Sequence, residues 1–454
     1  MAIAVALVLL VVGSLVFHFA SPWWFTPIAS NWSSVDFTIN LTFVVTGIVF
    51  VAVNLFMAYS IWRFRHKEGQ KAIYEPENAK LEIGLSVFTA IGVIAMLAPG
   101  LLVWASFVTV PEEATEYEVV GQQWQWSFRY PGADGVLGTV DVSHISEVNP
   151  FGVNPEDPNG QDDILVKKPV MYLPVDKPVK ALLRSKDVLH NYTVPQFRVK
   201  MDLVPGTVSY LWFTPTEIGS YDILCEELCG IGHHVMRGTV NVVSESDYEA
   251  WLADQPTFAE TSAMALARSD VNAGATLYAT CASCHGAQGQ GNPALNAPKL
   301  NGLQPWYISR QLKYYQEGIR GANPDDTYGQ MMAPMAGMLA DDTAINNVAA
   351  YIASLPETAP TTSITGDAGN GQRIYNANCA ACHGRDGSGS WATDAPSLIA
   401  MEDWYMAVQL NNFKAGIRGN HRDDDYGEQM VSMATAMRNQ QQLEDVLSYI
   451  NSLR

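Results

Sequence analysis

The sequence predicts a multidomain membrane protein: N-terminal transmembrane helices, an all-β domain, and two all-α units at the C-terminus. Three observations carry this expectation. Long apolar stretches fill the first 110 residues, short β-rich runs begin at Glu116, and a unit of about 90 residues is duplicated beyond residue 265. At 454 residues the chain exceeds one ordinary domain. Its formal charge of −19 argues against nucleic acid and anionic membrane surfaces, and suits solubility or steering of a basic protein partner.

A bilayer crossing takes about 20 apolar residues. Three stretches qualify, near Ala2–Phe19, Phe37–Trp62 and Ile83–Val110. The loop "WRFRHKEGQK" carries Arg63, Arg65, Lys67 and Lys71, which places it in the cytoplasm. Everything after Pro111 is then extracytoplasmic. Trp23 and Trp24 read as interfacial anchors. The first stretch has no basic n-region, and His18 stands where a cleavage site needs a small residue. It reads as an extra transmembrane helix, with a signal segment as the alternative. Of nine histidines, none lies in the second or third stretch, so these helices alone hold no intramembrane haem or copper. Glu82 opens the third stretch and reads, on residues alone, as a solvated helix-start carboxylate.

From Glu116 to about residue 250, short runs separated by Gly, Pro and Asp clusters predict an antiparallel sandwich or barrel. The acidic loop "NPFGVNPEDPNGQDD" reads as solvated rather than calcium-binding. The stretch "CEELCGIGHHVM", residues 225 to 236, brings Cys225, Cys229, His233 and Met236 together. Cys, His and a weak axial Met on a β-domain are the composition of a copper electron-transfer site. Two thiolates suffice for two coppers, and a second imidazole must come from elsewhere. His190 is the favoured source, with His144 and His234 as competitors. Zinc is the rival for this donor set, but it leaves Met236 without a role.

Residues from about 35 to 250 resemble cytochrome c oxidase subunit II, a helix hairpin followed by a cupredoxin domain. The matching stretches are "LEIGLSVFTAIG", "GQQWQWSFRYPG", "DVLHNYTVPQFRVKMDLVPG" and "GSYDILCEELCGIGHHVMRG". The resemblance implies a dinuclear CuA copper centre held by His190, Cys225, Cys229, His233, Met236 and the carbonyl of Glu227. It also implies a magnesium ion reached by the Glu227 side chain at the interface with subunit I. By the same resemblance, Trp124 is where a soluble cytochrome c delivers its electron, and Glu82 marks the mouth of a proton pathway into subunit I.

"CASCH" at 281–285 and "CAACH" at 379–383 lie 98 residues apart, as do "YGQMMAPM" and "YGEQMVSM". Upstream the copies slip by one residue, with Tyr278 and Tyr375 as counterparts. C-x-x-C-H is the signature of covalent c-type haem attachment. It points to Cys281, Cys284 and His285 in the first unit, and to Cys379, Cys382 and His383 in the second. Each motif precedes a Met-rich loop, and Met/His ligation suits electron transfer. The units resemble class I cytochromes c of the diheme tandem kind. That family's spacing to an apolar residue opening the last helix, Leu339 or Met437, selects Met332 and Met430 as axial ligands over Met335 and Met433. Met331 and Met338 read as packing residues.

The expected organisation is 1–34 an N-terminal apolar helix, 35–112 the transmembrane hairpin, 113–250 the cupredoxin CuA domain, and 265–356 and 366–454 the two cytochrome c domains. Together these resemble subunit II of a caa3-type haem–copper oxidase. The resemblance implies electron flow through two c haems and CuA to haem a and the oxygen-reducing site of subunit I, coupled to proton pumping. The implied partners are subunits I and III and an electron donor, either cytochrome c or a quinol-oxidising complex. The implied location is the bacterial cytoplasmic membrane, with the globular domains outside. A membrane-anchored carrier serving another acceptor is a rival reading; a quinol oxidase subunit, which lacks the copper ligands, and a nitrous oxide reductase, which needs a His-rich copper domain, fit less well.

Overall fold

The computed structural model of the protein describes residues 1–21, 25–71, 76–266 and 269–454. Trp23 and Trp24 lie outside these. Three long helices come first, α1 (Ala2–Ala20), α2 (Ser33–Arg63) and α3 (Ala79–Val108), each long and apolar enough to cross a membrane. Arg65 at the end of α2 meets Met1 at the start of α1 (Nη1 to Sδ 3.7 Å), so the two run antiparallel.

The other ends of the hairpin are fastened to the β-domain. The Trp32 indole donates to the Trp212 carbonyl at 3.0 Å, and the Trp212 indole donates to Ser106 at 3.1 Å. Arg198 grips the Asp36 carboxylate with Nε and Nη2 at 2.7 and 2.9 Å. The fork-on-carboxylate geometry fixes direction as well as distance.

The β-domain is a sandwich of two five-stranded sheets. One contains β1 (Thr115–Gln122), β2 (Gln125–Tyr130), β3 (Ile164–Val166), β5 (Val179–Ser185) and β8 (Ser209–Phe213), in the order β3-β2-β1-β5-β8. The other contains β4 (Val170–Pro174), β6 (His190–Val194), β7 (Val199–Leu203), β9 (Gly219–Cys225) and β10 (Arg237–Val243), in the order β4-β10-β9-β6-β7. The pairing corrects the purely antiparallel expectation, because β1 with β5 and β4 with β10 are parallel. Parallel neighbours need crossovers, which local sequence does not announce. Alternate residues of β5 and β10 point inward, and Trp126, Phe128, Leu183, Tyr192, Phe213 and Val240 fill the core.

Each C-terminal unit is helical, with its first and last helices packed across one another. In the first these are Val271–Tyr278 and Asp342–Ser354; in the second, Ala368–Asn378 and Gln440–Ser452. The crossings are so close that a Cβ on Gly274 would sit 2.0 Å from the Asn347 carbonyl oxygen, and one on Gly371 1.9 Å from that of Asp445. Only glycine fits there. These glycines lie 97 positions apart, matching the slip upstream of the cysteine motifs.

The Met-rich segments are helices rather than loops, Thr327–Ala336 and Asp425–Ala436. Asp326 and Asp424 cap them by accepting from the Gly329 and Gly427 amides, both at 3.0 Å. Such a cap contributes about 1 kcal/mol, enough to start a helix despite Pro334 within the first. Leu339 and Met437 are buried but lie before the last helices rather than opening them.

Candidate redox centres

The first centre gathers at one end of the second sheet. His190 begins β6, Cys225 ends β9, and Met236 immediately precedes β10. The turn between the last two carries Cys229 and His233. Cys225 and Cys229 stand with their sulfurs 3.8 Å apart. A disulfide needs about 2.05 Å, so these are two separate thiols. His190 Nδ1 lies 4.0 Å from the Cys225 sulfur, and His233 Nδ1 lies 3.5 Å from that of Cys229. Met236 Sδ is 3.8 Å from Cys229, and the Glu227 carbonyl is 3.3 Å from Cys225.

The arrangement is symmetric in its chemistry. Two sulfurs sit at the centre, one imidazole lies on each side, and a thioether and a carbonyl are the weak outer donors. Both cysteines, His190 and Met236 are buried. The shared hydrogen bond between the two sulfurs lowers one thiol, Cys225, and raises the other, Cys229, so that a single thiolate is favoured in the pair. A donor set with two bridging sulfurs and one imidazole apiece fits a pair of copper ions.

The competing histidines fall elsewhere. His144 sits in the turn Val142–His144, apart from the cluster of His190, Cys225 and Cys229. His234 is exposed. It diverges from His233 within one tight turn, His233–Val235. In the acidic loop, Asp157 is spent on Thr139 and Asn159.

Two supporting residues escaped the sequence reading. Asp187 Oδ1 lies 2.8 Å from His190 Nε2, which orients the ring with Nδ1 toward sulfur. Its other oxygen accepts from the Gln123 amide at 2.7 Å. Asp187 stands three residues before His190, in the stretch "DVLH", and that spacing was the available signal. Beside it, the Trp124 indole donates to the Cys229 carbonyl at 3.1 Å, and Gln123 Nε2 donates to the same oxygen at 2.6 Å. Trp124 is only 3 % exposed.

What covers Trp124 is the second cytochrome unit. Gln429 Nε2 reaches the Trp124 carbonyl at 3.5 Å, Gln125 Nε2 reaches the Tyr426 hydroxyl at 3.2 Å, and Gln122 Nε2 donates to the Ala392 carbonyl at 2.9 Å. Trp124 forms part of the wall of that unit's cavity, of about 140 Å³, together with Cys382, His383 and Met430. One aromatic residue therefore touches both the sulfur cluster and the second cavity.

Each C-x-x-C-H segment is one short helical turn against an apolar cavity, about 240 Å³ in the first unit. His285 and His383 are buried, and their Nδ1 atoms lie 2.8 and 2.9 Å from the Pro298 and Pro396 carbonyls. Donation there leaves each Nε2 for a metal. Burial pushes both imidazoles below their usual pKa, which favours the neutral form a metal requires. Met332 and Met430 line the cavities and are half-buried. Their neighbours Met335 and Met433 line the same cavities; Met335 is exposed, and Met433 also packs against the β-domain core. Met331 and Met338 are each about 60 % exposed, which corrects their reading as packing residues. Met331 turns outward from its helix, and Met338 lies beyond that helix's end.

Glu82 lies in the first turn of α3, where its carboxylate accepts from the Asn78 amide at 3.3 Å. Glu227 is half-exposed beside the sulfur cluster.

The two cavities share a wall that sequence reasoning did not assign. Arg320 donates to Gln311 at 2.7 Å and to Gln409 at 3.1 Å, while Arg418 donates to Gln409 at 2.8 Å and to Gln311 at 2.9 Å. Gln311/Gln409 and Arg320/Arg418 are counterparts at the 98-residue offset, and the duplicated "GIRG" was the signal. These guanidiniums bond neutral oxygens, and Arg320 Nε is buried without an acceptor beside the first cavity. That orphaned donor fits a ligand carrying carboxylates, as a haem does.

Comparison with known proteins supports the reading from these centres. A family model for the cytochrome c oxidase subunit II periplasmic domain matches residues 116–243, and one for cytochrome c matches residues 271–356 and 368–454. An alternative cytochrome c oxidase subunit 2 from Bradyrhizobium diazoefficiens is 58% identical over 275 residues, covering 60% of this chain and 99% of the relative. A cytochrome c oxidase subunit 2 from Cereibacter sphaeroides is 32% identical over 217 residues, covering 46% of this chain and 72% of the relative. Among solved structures, reduced cytochrome c4 from Pseudomonas stutzeri is 28% identical, covers 41% of this chain and 100% of that one, and has a TM-score of 0.33. With a sequence match over nearly the whole of one subunit, followed by two cytochrome c matches, the chain belongs to the cytochrome c oxidase subunit II family, extended by two cytochrome c domains.

Proposed function

We propose that the chain is the electron-input subunit of a proton-pumping haem–copper terminal oxidase of the caa3 type, with its globular domains outside the cytoplasmic membrane of a bacterium. The observation that carries this reading is the double contact of Trp124, bonded to the Cys229 carbonyl and lining the second cytochrome cavity. An indole so placed links the two centres through a few bonds in a buried setting.

His190, Cys225, Cys229, His233, Met236 and the Glu227 carbonyl would hold the dinuclear copper. Cys281, Cys284, His285 and Met332 would hold one c haem, and Cys379, Cys382, His383 and Met430 the other. When bound, these groups supply reversible one-electron chemistry. The chain's own residues do the rest. Asp187 orients His190, burial of both thiols keeps water from the cluster, and the arginine–glutamine wall joins the two cytochrome units. Fusion to the β-domain gives the second unit a high effective concentration at Trp124. The Glu227 carboxylate would reach magnesium at the subunit I interface, and Glu82 would serve proton uptake there. Haem a and the oxygen-reducing centre belong to subunit I, and subunit III completes the assembly.

The test is Cys225→Ser in the purified complex, followed by metal analysis, electron paramagnetic resonance and a haem c assay. Wild type should hold two coppers and two c haems per chain. The variant should lose the mixed-valence copper signal and keep both haems. Retained copper signal in the variant, or zinc in the wild type, contradicts the reading.

A further inference from the structure

The duplication offers an internal comparison at the surface. Five positions of the second unit lie on the β-domain: Cys382, Ala392, Tyr426, Gln429 and Met433. At the 98-residue offset their counterparts in the first unit are Cys284, Ala294, Tyr328, Met331 and Met335. All five of the second unit are covered in part, and all five of the first are exposed. Tyr328, Met331 and Met335 are 47, 60 and 39 % exposed, and Leu295 beside them is 50 % exposed. Two changes have made the free face more apolar than the seated one, Met331 for Gln429 and Leu295 for Thr393.

The same face of one fold is thus used once, against a domain that presents a redox centre, and left open once. We infer that the open face of the first unit is the docking surface for a soluble, positively charged one-electron carrier protein. It meets the carrier as the second unit meets the β-domain, with an apolar centre over the cavity holding His285. The carrier gives up one electron and the first unit gains one. Electrons then cross the shared arginine–glutamine wall to the second unit and pass on by Trp124. The charge is complementary: the chain carries −19, and exposed Asp325 adjoins the helix bearing Tyr328, Met331 and Met335. Contacts of this kind have an apolar core that sets residence and a charged surround that sets approach.

This inference rests on the two-haem reading, so the experiment separates the two. The whole complex is mixed with a reduced basic class I cytochrome c, and haem reduction is followed by stopped-flow absorbance. Ascorbate with a small phenylenediamine mediator serves as the control donor. Ala294→Lys, and independently Asp325→Lys, should lower the second-order rate with the protein donor about tenfold. The mediator rate, the haem spectrum and the haem potentials should stay unchanged. An unaltered protein-donor rate in both variants overturns the inference, as does a wild type that takes no electrons from the carrier. A sedimentation shift showing that the lysines dissociate a dimer would assign the face to a second copy instead. Failure of the two-haem reading would appear separately, as a single c haem in the pigment assay of the wild type.

Discussion

In the first cytochrome unit Tyr328, Met331 and Met335 face outward, whereas in the second their counterparts Tyr426, Gln429 and Met433 lie on the β-domain. The interiors have hardly moved apart. Each unit keeps its helix-crossing glycine, its Asp-capped Met helix and its histidine bonded to a proline carbonyl. Duplication therefore preserved what a haem pocket demands and freed the surface to diverge. Position relative to Trp124, and not the pocket, distinguishes the two.

The largest expected effect comes from breaking one pocket at a time. Met430→Ala should lower the potential of one haem, since Met/His ligation raises it, and make electron transfer into that unit uphill. Arrival at copper should slow about a hundredfold, a cost of about 2.7 kcal/mol, read by flash reduction. Met433→Ala should leave the potentials unchanged, and a potential shift there instead would exchange the two methionines' roles. Next comes the shared wall. Gln409→Leu removes an acceptor common to Arg320 and Arg418 and should cost about 2 kcal/mol, seen as a lower denaturant midpoint.

Smaller again is Gly232→Ala. A Cβ there would lie 2.4 Å from the Trp124 ring, so the indole must shift while the sulfur cluster keeps all its donors. Copper content should hold, and transfer from the second unit should fall about tenfold. The smallest effect concerns Asp425, at the seated face, which burial raises to about 6. A raised carboxyl favours the native state below its unfolded value, and that contribution is lost as pH rises through 6. Asp425→Asn should therefore raise the melting temperature by about 2 °C at pH 7.5, with most of the gain gone at pH 4.5.

How much of this was legible in the sequence depended on how local each site is. Cys225, Cys229, His233 and Met236 fall within twelve residues, and each C-x-x-C-H within five, so spacing alone exposed them. His190 needed the β-rich context and the family resemblance, because β6 reaches the cluster only through sheet order. Asp187 stood only three residues before His190, but that spacing alone does not mark a carboxylate as the partner of a ring nitrogen. The Arg320/Arg418 wall was hidden for a different reason: its acceptors come from both units, and a guanidinium that bridges two units looks like any surface arginine until the units dock. The Met helices read as loops show the same limit: the Asp326 cap that starts the first of them is a matter of three-dimensional geometry.

The central claim is that the second cytochrome unit, and not the first, stands at the copper centre. Relaxation of the mixed-valence copper signal in the oxidised complex, measured by pulsed electron paramagnetic resonance, tests it directly. Met430→Ala should alter that relaxation, because it changes the haem nearest the copper, and Met332→Ala should leave it as in wild type. Equal changes from both substitutions, or a change from Met332→Ala alone, would contradict the account.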